Sequence, residues 1–219
     1  ADQRMLLGIP NFWDVVSNLP MFLLGVWMLW TTLRTLTYRP DFATRWIPVV
    51  LSLGVLMTGL GSGYYHFAPD NHTLVWDRLP MTVIFIPLFA MIVYDFMQPR
   101  TGLVTFTAGV PLGLFSIWYW QHTEALGQGD LRLYMCVQFL PMLLIPLILL
   151  FSDQKKGYVV LFWRVLLWYA LAKVAEHLDH EIFQFTGFWS GHTLKHFFAG
   201  IALWYVLLML RASTPKDSL

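Results

Sequence analysis

The sequence predicts an all-α membrane protein: a bundle of seven transmembrane helices, one domain over residues 1–219, with the N-terminus outside and the C-terminus cytoplasmic. Three observations carry this. First, 57% of the residues are hydrophobic, only 12% are charged and the mean hydropathy is +0.57, whereas a soluble domain carries about 25% charged residues. Second, apolar runs near the length of about 20 residues that crosses a hydrocarbon core recur along the chain. Third, the gaps between them concentrate turn formers and charge.

The first run covers Phe12 to Leu36 and ends at Tyr38-Arg39-Pro40-Asp41. The second is Trp46 to His66, and the third, Leu79 to Phe96, stops at Gln98-Pro99-Arg100-Thr101-Gly102. The fourth, Leu103 to Trp120, precedes Gly127-Gln128-Gly129-Asp130, and the fifth, Leu131 to Phe151, precedes Ser152-Asp153-Gln154-Lys155-Lys156-Gly157. Tyr158 to Val174 is the sixth and His192 to Leu210 the seventh. Pro20, Pro87, Pro111, Pro141 and Pro146 lie within or at the ends of these runs, where a bundle tolerates kinks. Tryptophans and tyrosines gather near the expected interfaces. There is no internal repeat, which disfavours an inverted-repeat transporter. The apolar stretch Met5 to Ile9 stops at Pro10, too short for a cleavable signal peptide.

Basic residues set the orientation. Arg34, Arg39, Arg45, Arg100, Lys155, Lys156, Arg211 and Lys216 fall on one side, and chiefly Arg4, Arg78 and Arg132 on the other; the richer side is expected to be cytoplasmic. The net charge of +1 gives no basis for nucleic-acid binding. The single cysteine, Cys136, excludes an intrachain disulfide and a multi-cysteine metal site, and reads as a small core residue of an apolar helix.

Polar chemistry concentrates in two distant stretches. His192 and His196 are four apart at the start of the seventh run, so a helix presents both imidazoles on one face. Such a pair also fits headgroup or carbonyl hydrogen bonding, with Ser190 as a helix cap. Ser62 and His66 repeat the spacing at the end of the second run, which reaches the same membrane surface because the two helices run in opposite directions. Three imidazoles at one depth make the three-ligand site with an open position typical of catalytic zinc. Ser62 also lies among Gly59, Gly61 and Gly63, where small residues let helices approach closely. Asp77, eleven residues past His66 and three before Pro80, has the pattern of a helix N-cap; near a metal it is instead a carboxylate able to move protons. Trp76 and Arg78 read as interface anchors.

Ser-x-x-x-His at the end of helix two, Asp eleven residues on and His-x-x-x-His opening helix seven resemble the alkaline ceramidases of the CREST superfamily. That superfamily also holds the adiponectin and progestin receptor group and a GPI-remodelling group. Phe12-Trp13-Asp14-Val15-Val16-Ser17-Asn18 is similar to the Phe-Trp-Asn-x-x-Ser-Asn stretch that opens helix one in the ceramidases. The resemblance implies Zn2+ on His66, His192 and His196, Asp77 as the acid/base group acting on the attacking water, and Ser62 steadying the oxyanion. It further implies hydrolysis of the amide of a ceramide-like N-acyl membrane lipid. Asn11 stands where the family has Glu, and only Asp2 precedes it, which argues against the family's Ca2+ site. Asp14, Ser17 and Asn18 are expected to hydrogen-bond inside the bundle. The short N-terminus and tight loops point to a bacterial inner membrane, with the active site in the outer, periplasmic half.

Alternatives come from other classes: an ester-cleaving lipid hydrolase, a seven-helix receptor of the adiponectin-receptor type, and a redox protein holding haem between histidines. Glu176, His177, Asp179, His180 and Glu181 read as a solvated turn between helices six and seven, and His72 and His122 as loop residues without a role.

Overall fold

The computed structural model describes residues 2–152 and 157–213. The predicted turn at Ser152 to Gly157 is only partly within them, and Lys155, Lys156 and Lys216 lie outside the described residues. Among those residues the regular structure is helical, apart from one isolated bridge between Leu6 and Ile9. The helices are α1 (Phe12–Val16), α2 (Leu19–Arg34), α3 (Phe42–Phe67), α4 (Leu74–Phe96), α5 (Pro99–Ala125), α6 (Arg132–Phe151), α7 (Val159–His177), α8 (Asp179–Thr186) and α9 (Gly191–Ala212). Among the described residues, six segments are long and apolar enough to cross a membrane: Phe12–Arg34, α3, α4, α5, α6 and α9. This is the pattern of an integral membrane protein. α7 has the length but carries Arg164, Lys173 and Glu176.

Every predicted run is helical, with three local differences, and Cys136 is exposed on the surface of α6 and not in the core. The first run breaks into α1 and α2 at Ser17-Asn18, just ahead of Pro20 at the second position of α2; a proline there needs no donor for a preceding turn. The stretch after α7 is not a simple turn: Asp179–Thr186 forms α8, ended by Gly187 in the left-handed conformation. His122 lies within the last turn of α5, its ring stacked on Trp118, and not in a loop.

The core runs along the axis. α4 packs on α3, α5 and α6, and α9 packs on α7 and α2. Met28, Leu51, Val55, Ile92, Ile145, Phe162 and Leu207 are fully buried between them. Outside this core, apolar side chains such as Leu23, Trp30, Leu143, Leu150 and Phe151 are exposed, as a lipid-facing surface requires. Glycine lets two helices close at the end that carries the histidines. A Cβ on Gly61 would stand 1.9 Å from the Trp76 carbonyl oxygen, and one on Gly191 2.1 Å from that of Ala175. The first brings α4 against α3 beside Ser62, and the second seats the start of α9 against the end of α7.

Candidate metal centre

His66 lies in the last turn of α3, and His192 and His196 in the first turns of α9. Ser190 caps α9 by accepting from the Thr193 amide, at 2.9 Å; this cap starts the helix where both histidines share a face. Their rings converge, with centroids 4.5, 4.9 and 5.2 Å apart. One nitrogen from each lies within 4.8 Å of the others, close enough for all three to hold one metal ion. His66 Nε2 and His192 Nε2 are 2.9 Å apart. Two imidazole lone pairs at that distance need a proton or a cation between them.

The surroundings choose the nitrogens. His196 is 3% exposed; its Nδ1 is 2.7 Å from Ser17 Oγ, and that hydroxyl donates to the Asp14 carbonyl at 3.2 Å. The Ser17 contact engages Nδ1 and leaves Nε2 as the nitrogen available to a ligand. That Nε2 is buried and has no hydrogen-bond partner among the described residues. An orphaned nitrogen facing two further imidazoles fits a metal of the nitrogen-loving kind. Behind it, the Asp14 carboxylate accepts from Thr193 Oγ1 at 2.8 Å and Ser190 Oγ at 3.2 Å, tying α1 to α9. Asn11 Nδ2 donates to the His66 carbonyl at 2.8 Å and so closes the end of α3. Asp179 Oδ1 accepts from the His192 amide at 2.7 Å.

Ser62 and Asp77 meet two of the histidines at a cavity of about 350 Å³, lined also by His192, His196, Tyr134 and Tyr169. Ser62 is buried and Asp77 half-buried. Asp77 is not the cap of α4. The Asp70 carboxylate accepts from the Thr73 amide, and the Thr73 hydroxyl from the Asp70 amide, at 2.6 and 3.0 Å. The Thr73 bonds hold the Asp70 carboxyl below the usual carboxylate range. α4 therefore starts at Leu74, and Asp77 is left on its first turn with its carboxylate free of capping. Below the cavity an apolar chamber of about 100 Å³ continues into the bundle, sharing Met21, Thr58, Met81, Tyr169 and Ala199 with it.

The acidic and histidine-rich stretch divides. His177, His180 and Glu181 are exposed, as a solvated segment should be, but Glu176 lines the cavity and pairs with Lys173 and Lys195. Arg78 also lines the cavity, while Trp76 is exposed. His72 sits exposed in the α3–α4 turn, away from the cluster. The sequence pattern reads Ser17 as hydrogen-bonding inside the bundle and Glu176 as part of a solvated turn, and it gives Lys173 and Lys195 no role. Neither the models of known protein families nor the curated protein sequences give a match to this chain.

Proposed function

We propose that this chain is a zinc-dependent intramembrane lipid hydrolase that cleaves the amide bond of a ceramide-like N-acyl lipid, releasing a fatty acid and an amine. The carrying observation is the convergence of His66, His192 and His196, with the orphaned His196 Nε2, beside a cavity that also holds Ser62 and Asp77. Three neutral imidazoles are the donor set of catalytic zinc. When bound, zinc supplies Lewis acidity that polarises a carbonyl and brings the pKa of water to about 7. The Asp77 carboxylate takes a proton from the attacking water and returns it to the nitrogen as the carbon–nitrogen bond breaks. The Ser62 hydroxyl donates to the carbonyl oxygen as charge develops on it. The apolar chamber beneath receives the acyl chain. The haem reading finds no support in the geometry, since ring centroids 4.5–5.2 Å apart leave no room for a macrocycle.

On this reading α7 is the seventh span. Lys173 and Glu176 sit in its last two turns at the cavity, and the exposed Arg164 lies 5.4 Å over the Tyr205 ring. The histidine end then lies on the side poorer in basic residues. Lys173 and Lys195 join Arg4, Arg78 and Arg132 there, narrowing the bias without reversing it. That end is taken as external, in the periplasmic half of a bacterial inner membrane.

The test is the metal content of detergent-purified protein beside its turnover of N-acyl lipids and their ester counterparts. The expected result is about one zinc per chain, lost in a His192→Ala/His196→Ala variant. Asp77→Ala keeps the zinc and loses amide hydrolysis, with esters affected less because their leaving group needs no proton. Unchanged amide turnover in Asp77→Ala overturns the mechanism, and iron in place of zinc overturns the metal assignment.

A further inference from the structure

The cavity carries more positive charge than the proposed chemistry uses. Lys173 Nζ and Lys195 Nζ close on a single carboxylate, at 2.7 Å from Glu176 Oε2 and 3.1 Å from Glu176 Oε1. Lys195 is held inward, with its side chain 19% exposed. Arg78 joins them in the lining. Its guanidinium carbon lies 4.4 Å from the Trp120 ring centre and 5.7 Å from that of Tyr134, while Nη1 is buried with no hydrogen-bond partner among the described residues. The rings satisfy the face of the guanidinium but not its in-plane N–H groups. Three side-chain cations thus line the cavity against two carboxylates, Asp77 and Glu176. A bound divalent metal adds to the imbalance. Uncompensated charge in apolar surroundings is costly and is resolved by pairing.

We infer that Arg78, Lys173 and Lys195 form a binding site for an anionic headgroup, a carboxylate or phosphate carried on the amine side of the scissile bond. A planar guanidinium with an open N–H matches either group. Glu176 occupies the two lysines until such a ligand arrives. The position of the headgroup relative to the scissile bond rests on the hydrolase reading; the preference for an anion does not.

The experiment measures binding to the zinc-loaded protein in nanodiscs of uncharged phosphatidylcholine. The probe is the ketone isostere of N-palmitoylglycine, which cannot be cleaved, compared with its uncharged terminal alcohol and with palmitate. The carboxylate probe is expected to bind about tenfold more tightly than the alcohol, the worth of one charge-assisted hydrogen bond. That gap closes in Arg78→Gln and in Lys195→Gln, whose unchanged affinity for the alcohol reports intact folding. It widens in Glu176→Gln, which frees both lysines. Equal affinities in the wild type, or a preference that survives both cation variants, overturn the inference. A cation-dependent gain for palmitate but not for the isostere also overturns it, since the cations then serve a fatty-acid carboxylate. Failure to cleave the parent amide, with the charge preference intact, refutes the hydrolase reading alone.

Discussion

At one end of the bundle Tyr94 donates to Asp41 at 2.8 Å, Arg45 Nε to the Arg39 carbonyl at 2.7 Å, and the Tyr158 hydroxyl to Asp95. At the other end three imidazoles turn toward one another, and a buried nitrogen of His196 meets no donor. Both ends bury polar side chains at the limits of apolar helices. In the first, these donors and acceptors pair into tethers between helix termini, and the buried Arg211 Nε, without a hydrogen-bond partner among the described residues, has its guanidinium over the Trp27 ring. The cavity there is about 50 Å³. In the second, like groups converge around a space that only a cation or a proton can reconcile, beside a cavity of about 350 Å³. Polar burial at a membrane boundary is therefore not by itself a sign of function. The distinguishing feature is the convergence of three like groups on one point.

That contrast can be broken most forcefully at the ligands. His66→Ala is expected to abolish stoichiometric zinc binding. It should also remove the stabilisation that zinc at 100 times its Kd provides, about 2.7 kcal/mol, read from melting curves with and without added zinc. Equal zinc content in this variant would dissolve the distinction between the ends.

Ser17→Ala comes next. It deletes the hydroxyl that holds His196 Nδ1, and loss of such a supporting bond weakens metal affinity by about 10- to 100-fold. Competition with a chromophoric chelator measures it, and Ser17→Thr should recover most of the loss. Gly61→Ala forces a methyl group onto the Trp76 carbonyl. The expected cost is about 1–3 kcal/mol in stability, together with a drop in kcat at unchanged zinc content as Asp77 moves away from the histidines.

The smallest effect belongs to the tethered end. Tyr94→Phe removes one hydrogen bond to Asp41, which still accepts from the Thr44 amide at 3.0 Å. About 1 kcal/mol of stability should go, with zinc content and turnover unchanged. A fall in zinc content there would mean that the two ends are coupled.

The helices were legible because the bilayer imposes its thickness on the chain. A run of apolar residues flanked by Gly, Pro and charge admits few other readings, and the observed limits extend the predicted ones mainly by a turn of polar residues, as at Phe42 and Ala125. The two i, i+4 pairs, Ser62 with His66 and His192 with His196, were legible for a similar reason, since helical periodicity puts them on one face whatever they pack against. Asp77 three residues before Pro80 has the pattern of a cap, whereas α4 starts after Thr73, behind a turn closed by Asp70 and Thr73. Only hydrogen bonding of the actual turn separates the two.

What the sequence determined by itself was local: the helices, their alternation and the shared depth of three histidines. The tertiary structure alone decided that Ser17 of the α1–α2 break reaches His196, that Asn11 closes α3, and that Glu176 lies between Lys173 and Lys195. It also decided that Arg78 lines the cavity. Glu176 and Lys195, Asn11 and His66, and Ser17 and His196 are 19, 55 and 179 residues apart, and such partners are chosen by which helix faces meet. Those faces are set by the glycine contacts at Gly61 and Gly191 and by core packing, neither of which has a period or a spacing to read along the chain.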